Sequence, residues 1–318
     1  MTTLQHGQVP GAVTPAELQP VQKRQVNAAT HRGKSASTKR FEIAIMEIVV
    51  ERAPITVRGV AYALFTRGLI DSMVVKYTKK VSRVMTAMRE TGELNWTQIV
   101  DDSRAVDRVS TWSNPSAIIN AAVRGYRRNY WQDQDSLVEV WSEKSTVAGV
   151  LAPVLNEYGV TFRVMKGFGS FTSVRQAAED SFDVPDGKNA VVLYMGDYDP
   201  SGMYMSEVDL PKRLERYGSV WQFERIAVLE SDTHDLPPFN AVTKKKDNRY
   251  RWFVNIYGHQ CWELDAINPT DLRNRVRGQI ETRLNLPAWA HAKGIEAVEI
   301  ASMKQFHKAW AERLGVPK

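Results

Sequence analysis

The sequence predicts an α/β protein: a helical amino-terminal region followed by a domain wound around a parallel sheet. Two observations carry this. Between residues 39 and 92, apolar residues recur at helical spacing in three successive segments. From Leu137 onward, four short apolar runs alternate with helical segments, as in a parallel sheet covered on both faces.

Residues 1–38 are rich in Gln, Thr, Ala, Pro and Gly with no sustained apolar period, and are expected to form a disordered basic arm. Residues 1–40 carry six Lys or Arg against Glu17 alone, so most of the net charge of +6 lies there. Such an arm attracts nucleic acid, and is equally a solvated tail. Next, "TKRFEIAIMEIVVERAP" predicts a first helix that ends at Pro54. "ITVRGVAYALFTRGLI" predicts a second, closing near Gly68. "YTKKVSRVMTAMRETGEL" predicts a third, with Val81, Val84, Met85 and Met88 at helical spacing and Gly92 as its stop. "NWTQIVDD" reads as a short strand. Three helices and then a strand or hairpin is the plan of a winged helix, assigned to residues 39–128. In that plan the third helix often sits in a DNA major groove. Lys76, Lys79, Lys80 and Arg83 make this one basic, and they are candidate DNA contacts.

The second domain, 129–318, starts near "RRNYWQDQD" and includes a carboxyl-terminal extension. Its expected strands are "LVEVW", "VTFRVM", "AVVLYM" and "FERIAVL". Its expected helices are "STVAGVLAPVLNEYG", "FTSVRQAAEDSF" and "MYMSEVDLPKRLERYG". Ligands of such sheets bind beyond the carboxyl ends of the strands. The first strand runs into Glu143 and Lys144, and the third into "GDYDPSG", with Asp197 and Asp199. In extended chain, residues two apart point the same way, so both aspartates can face one point. Glu143 arrives at the same edge. Three gathered carboxylates repel unless a cation or protons intervene. Mg²⁺, with Mn²⁺ as a possible substitute, suits such oxygen ligands. The alternative is that Asp197 and Asp199 only cap the helix beginning near Met203. Glu139, earlier on the first strand, reads as a partly exposed structural acid.

Composition excludes several classes. The single cysteine, Cys261, rules out an internal disulfide framework and a multi-Cys zinc site, and suits a cytoplasmic setting. No apolar run approaches the ~18 residues of a membrane span. The amino terminus lacks the apolar core of a secretion signal.

A glutamate after the first strand and a DxD after the third resemble the signature of the Toprim domain, a Rossmann-like fold with a parallel sheet found in topoisomerases, primases and some nucleases. "WSEKSTVAGVL", "GDYDPSG" and "CWELDAINPTDLRNRV" are similar to segments of the topoisomerase VI A subunit and the related meiotic double-strand-break protein. "APITVRGVAYALFTRGLI" resembles the part of that family carrying Arg-x-x-x-Tyr, here Arg58 and Tyr62. From about residue 50 to 285 the chain also resembles solitary bacterial and phage proteins that pair the two domains without an ATPase B subunit, sometimes called Mini-A. The resemblance implies a winged-helix domain followed by a Toprim domain, nucleoid-associated in a bacterium or encoded by a phage. It implies Tyr62 as nucleophile, Arg58 as its phosphate-holding partner, and Mg²⁺ on Glu143, Asp197 and Asp199. It also implies double-stranded DNA as partner and a homodimer in which each tyrosine faces the partner's Toprim domain. The family's second aromatic before the tyrosine is Ala61 here. The segment after the second strand, "MKGFGSFTSVRQ", lacks the family's proline, leaving Lys166 and Arg175 as DNA-gripping candidates beside Lys144. No phosphate loop is present, so ATP-gated strand passage would need a separate B-like partner.

A helical wheel at about 100° per residue agrees independently. Val57, Val60, Ala61 and Leu64 cluster on one side, while Arg58, Tyr62 and Thr66 lie together away from them. Three functions follow. The first is DNA cleavage by transesterification through Tyr62. The second is a Mg²⁺-dependent nuclease using water. The third is a noncatalytic DNA-binding protein of replication or partition, in which "TKKKDNRYRW" tracks phosphate and stacks bases through Tyr250 and Trp252, or is simply a solvated loop. Primase activity is a fourth, without the zinc-binding cysteines that would accompany it. The resemblance would let Glu263 and Asp265 join the acidic site; read from the residues alone, they are expected to cap a helix or make a buried hydrogen bond.

Overall fold

The computed structural model describes residues 35–100, 110–165 and 171–314. The basic arm's charged residues through Lys34, the aspartates of "NWTQIVDD", and Lys166 lie outside them. Helix α1 (Ala36–Arg52) leads into strand β1 (Ile55–Thr56), α2 (Val57–Thr66) and α3 (Val75–Glu90). The second helix therefore starts two residues later than its apolar pattern suggests. Thr56 caps it, its hydroxyl accepting from the Gly59 amide at 2.8 Å. A capped 3-10 turn, Trp96–Gln98, precedes strand β2 (Ile99–Val100). This strand pairs in parallel with β1. Among the described residues no antiparallel wing follows α3. Phe41, Ile45 and Ile48 of α1, Val60 and Leu64 of α2, and Val81, Met85 and Met88 of α3 form one apolar core. Helix α4 (Pro115–Gly125), which the apolar pattern did not announce, follows.

The expected sheet is present. Strands β3 (Ser136–Ser142), β4 (Thr161–Val164), β5 (Asn189–Met195) and β6 (Gln222–Ala227) are all parallel, in the order β4-β3-β5-β6. Between them run α5 (Thr146–Tyr158), α6 (Phe171–Asp180), α7 (Pro200–Tyr204), a π-helical turn (Met205–Asp209) and α8 (Leu210–Arg216). Alternate strand residues feed two cores. Val138, Val140, Val191 and Leu193 meet α5 and the later helices, while Ala190, Val192 and Tyr194 meet α6 and α8. Glu139 is buried rather than partly exposed. Arg163 holds it bidentately at 2.9 and 3.0 Å, and Trp141 Nε1 donates to it at 2.6 Å.

The hairpin of β7 (Phe239–Asn240) and β8 (Gln260–Cys261) encloses α9 (Tyr250–Tyr257). Of "TKKKDNRYRW", only Tyr250–Trp252 enter this helix; the preceding residues form turns in which Lys245 and Lys246 are exposed. Tyr250 and Trp252 are partly buried and pack against the core. Helices α10 (Pro269–Glu281) and α11 (Leu286–Leu314) complete the chain. Arg273 of α10 ties the two regions together, donating to the carbonyls of Arg52, Pro54 and Val150 at 3.3 Å each. Gly149 of α5 lets β2 approach closely, since a Cβ there would lie 2.6 Å from Val100. Among the described residues no helix is long and apolar enough to cross a membrane.

Candidate functional site

The strand order places a topological switch between β3 and β5, because the chain leaves β3 toward β4 and returns on the other side to β5. Ligands of open parallel sheets bind at that point, beyond the carboxyl ends. Ser142 and Met195, the last residues of the two strands, are register partners, so Glu143 and the 196–202 turn leave the sheet side by side.

The turn is held from beneath by Arg225. Its guanidinium donates to the carbonyls of Gly196 and Asp197 at 2.7 Å each, to that of Val228 at 3.0 Å, and to the Ser206 hydroxyl at 2.7 Å. Gly202 is required by close approach: a Cβ would stand 2.3 Å from the Asp197 carbonyl oxygen. Asp199, 3% exposed, caps α7 by accepting from the Gly202 amide at 2.8 Å. The capping role weighed from the sequence is thus real for Asp199. It uses one oxygen, and the other meets Lys244 Nζ at 3.0 Å. Asp197 accepts from the Leu264 amide at 2.8 Å and from Lys144 Nζ at 2.7 Å.

Lys144 is not a solvated lysine. It bridges Asp197 and Asp265, the latter at 2.9 Å. Burial pulls its ammonium down, but the two carboxylates more than offset this and hold it above its usual range. Asp265 also accepts from Thr56 Oγ1 at 2.9 Å. Against the effect of burial, Lys144 holds the Asp265 carboxyl below the usual range. Asp197 moves the other way, pushed up by burial despite the same ammonium. Burial, with Asp197 and Asp199 adding like charge, pushes Glu143 up to about 7.

Helix α2 brings the other half. Arg58 forms a two-pronged ion pair with Glu263 and lies 5.8 Å from the centroid of the Tyr62 ring. Tyr62 stands outside the apolar core of α1–α3, as the wheel predicts, yet it is only 4% exposed. Burial, then the negative charge of Glu263, push its phenol above the usual range, while Arg58 and Lys144 pull it back. Tyr62, Arg58, Glu263 and Lys244 line one cavity of about 580 Å³. Glu143, Asp197 and Asp199 do not line this cavity; Lys244, which does, reaches Asp199 from it.

The donor set of Glu143, Asp197 and Asp199 is all oxygen, and its crowded negative charge fits a hard divalent cation. Among the described residues no three His, Cys, Asp or Glu side chains stand closed in a metal-holding arrangement. Lys144 and Lys244 supply the counter-charge there. Of the other candidates, Lys76 and Lys80 of α3 lie over the rings of Tyr77 and Phe41 at 5.7 and 4.5 Å. Lys79 and Arg83 are exposed on the same helix. Arg175 pairs with Glu179 at 2.6 Å and covers Tyr217 on the outer side of α6, so none of its described contacts reaches the acids. Sequence reasoning missed the roles of Lys244, Thr56 and Arg225. Compared with known proteins, the chain is matched by no family model and by no curated sequence.

Proposed function

We propose that the chain is a DNA-cleaving protein of the kind expected of a type IIB topoisomerase A subunit, with a winged-helix region carrying the nucleophile and a Toprim-like sheet carrying the acids. One observation supports this above the rest: Arg58 and Tyr62 line the same cavity as Lys244, whose ammonium rests on Asp199 at the switch point of the sheet.

In this reading the Tyr62 phenol loses its proton and its oxygen attacks a DNA phosphorus. The bond from phosphorus to one sugar oxygen breaks, and that oxygen takes up a proton, leaving a phosphotyrosine link. A buried phenol whose proton is held tightly needs cationic help, and Arg58 and Lys144 are the groups that supply it. Arg58 leaves Glu263 for a nonbridging phosphate oxygen, which its planar fork matches as well as it does a carboxylate. Glu143, Asp197 and Asp199 would hold Mg²⁺, or Mn²⁺, which when bound offsets charge on the phosphoryl oxygens. The exposed Lys79 and Arg83 would bear on the duplex backbone. The proposed assembly is a C₂ dimer that cuts both strands, with resealing and any B-like ATPase partner as further elements of the same reading.

The test uses supercoiled plasmid with Mg²⁺ or Mn²⁺, stopped with SDS. Wild type should yield protein-linked breaks, and Tyr62→Phe and Asp197→Ala should yield none. Adducts from Tyr62→Phe would refute the reading. The raised phenol favours a second one, a nuclease in which water attacks. Its mark is free 5′-phosphate ends made equally by Tyr62→Phe.

A further inference from the structure

The cavity beside Tyr62 is larger than the nucleophile needs. Its volume of about 580 Å³ falls within the range of pockets that enclose small organic ligands. Its lining is of two kinds. Arg58, Lys244, Tyr62 and Glu263 are its charged and phenolic lining; Arg58 pairs with Glu263 and Lys244 with Asp199, and the two cationic side chains are each 42% exposed, which leaves each accessible to an anion beside its carboxylate. Phe65, Val74 and Phe239 are among its apolar lining. A paired base inside a duplex presents only its edges and phosphates and has nothing to place against such side chains. An unpaired base offers an apolar face attached to a phosphate, which matches a lining that holds both aromatic side chains and cations.

Resting on the cleavage reading above, we infer that this cavity takes an unpaired nucleobase next to the phosphate held by Arg58 and Lys244. The preferred substrate is then DNA containing an unstacked nucleotide, such as a bulge or gap, and not a fully paired duplex. The base stacks or packs at Phe65 and Phe239 while Lys244 shares its ammonium between Asp199 and the flanking phosphate. Base–aromatic contacts of this kind are sequence-tolerant, so a preference for unpaired structure without a preference for base identity is expected.

The experiment measures equilibrium binding of the full chain to two short duplexes, one fully paired and one with a single-nucleotide bulge carrying 2-aminopurine. The bulged duplex should bind about tenfold more tightly, the worth of roughly one stacked base. The 2-aminopurine emission should change on binding as the base leaves its DNA neighbours. Val74→Trp fills the cavity from an exposed position, so the fold is not at risk. It should abolish the preference and the emission change. Equal binding of the two duplexes by wild type, or an undiminished preference in Val74→Trp, would overturn the inference. Binding and cleavage separate the two readings. A bulge preference without covalent adducts upholds the cavity and sinks transesterification, and adducts with equal binding do the reverse.

Discussion

Replacing Lys144 with Met keeps the aliphatic stem and removes the one ammonium that bridges Asp197 and Asp265, at 2.7 and 2.9 Å. Two buried carboxylates then lose their counter-charge, with Glu143 and Asp199 adding like charge nearby. Breaking a buried ion pair costs about 3–5 kcal/mol. The Lys144 side chain retains 22% exposure, so the lower figure, about 3 kcal/mol, applies. For a chain of this size that corresponds to a fall in melting temperature of roughly 6 °C. Thermal unfolding followed by circular dichroism at neutral pH measures it. The double variant Lys144→Met/Asp265→Asn should recover part of the loss, because Asn still accepts from Thr56 while one stranded charge is gone. Millimolar Mg²⁺ should recover part of it too if the acids take a divalent cation. A single variant melting within about 1 °C of wild type would refute the reasoning, since it would mean that the acids need no counter-charge.

Gly202→Ala drives a methyl group into the Asp197 carbonyl, which is backbone and cannot step aside. It should cost about 2–3 kcal/mol in chemical denaturation and, by shifting the Asp197 turn, remove cleavage as well. Asp232 sits beneath β6, with Arg275 donating to both of its oxygens at 2.6 and 2.7 Å, and against the effect of burial this holds its carboxyl below the usual range. A depressed folded-state value contributes stability that is present above the unfolded value near 4 and is lost as pH falls below it. Wild type should therefore exceed Asp232→Asn in stability at pH 7, and the gap should close in acid denaturation below about pH 4.

The parallel sheet was legible because its strands are apolar runs bounded by turn residues, a pattern that survives without knowledge of neighbours. The strand-end acids were legible for the same reason, since strand direction fixes which end carries them. Strand β1 was not, because two residues carry no period, and although β2 falls within the short strand expected of "NWTQIVDD", its parallel pairing with β1 was not legible either, since it joins segments 44 residues apart in register. The position of Tyr62 off the apolar stripe could be read from the wheel, but its burial could not. The covering segment, Glu263–Asp265, lies some two hundred residues downstream. Lys144 illustrates the limit most clearly. A lysine beside a glutamate at a strand end looks solvated until Asp265, 121 residues away, closes over it.

Arg273 sets how this chain can be divided. Its guanidinium gathers carbonyls from the end of α1, from the proline that follows, and from α5. The α1–α3 trio looks like a portable module, yet its exit turn is stitched by a donor from the far end of the sequence. An expression fragment that stops before α4 loses that stitch. A graft that moves the trio onto another sheet has to bring a matching arginine with it. The separable unit is therefore the junction rather than either half, and because the acceptors are backbone carbonyls, the demand falls on the arginine at 273 and on the path of the chain at 52–54, not on the side chains there.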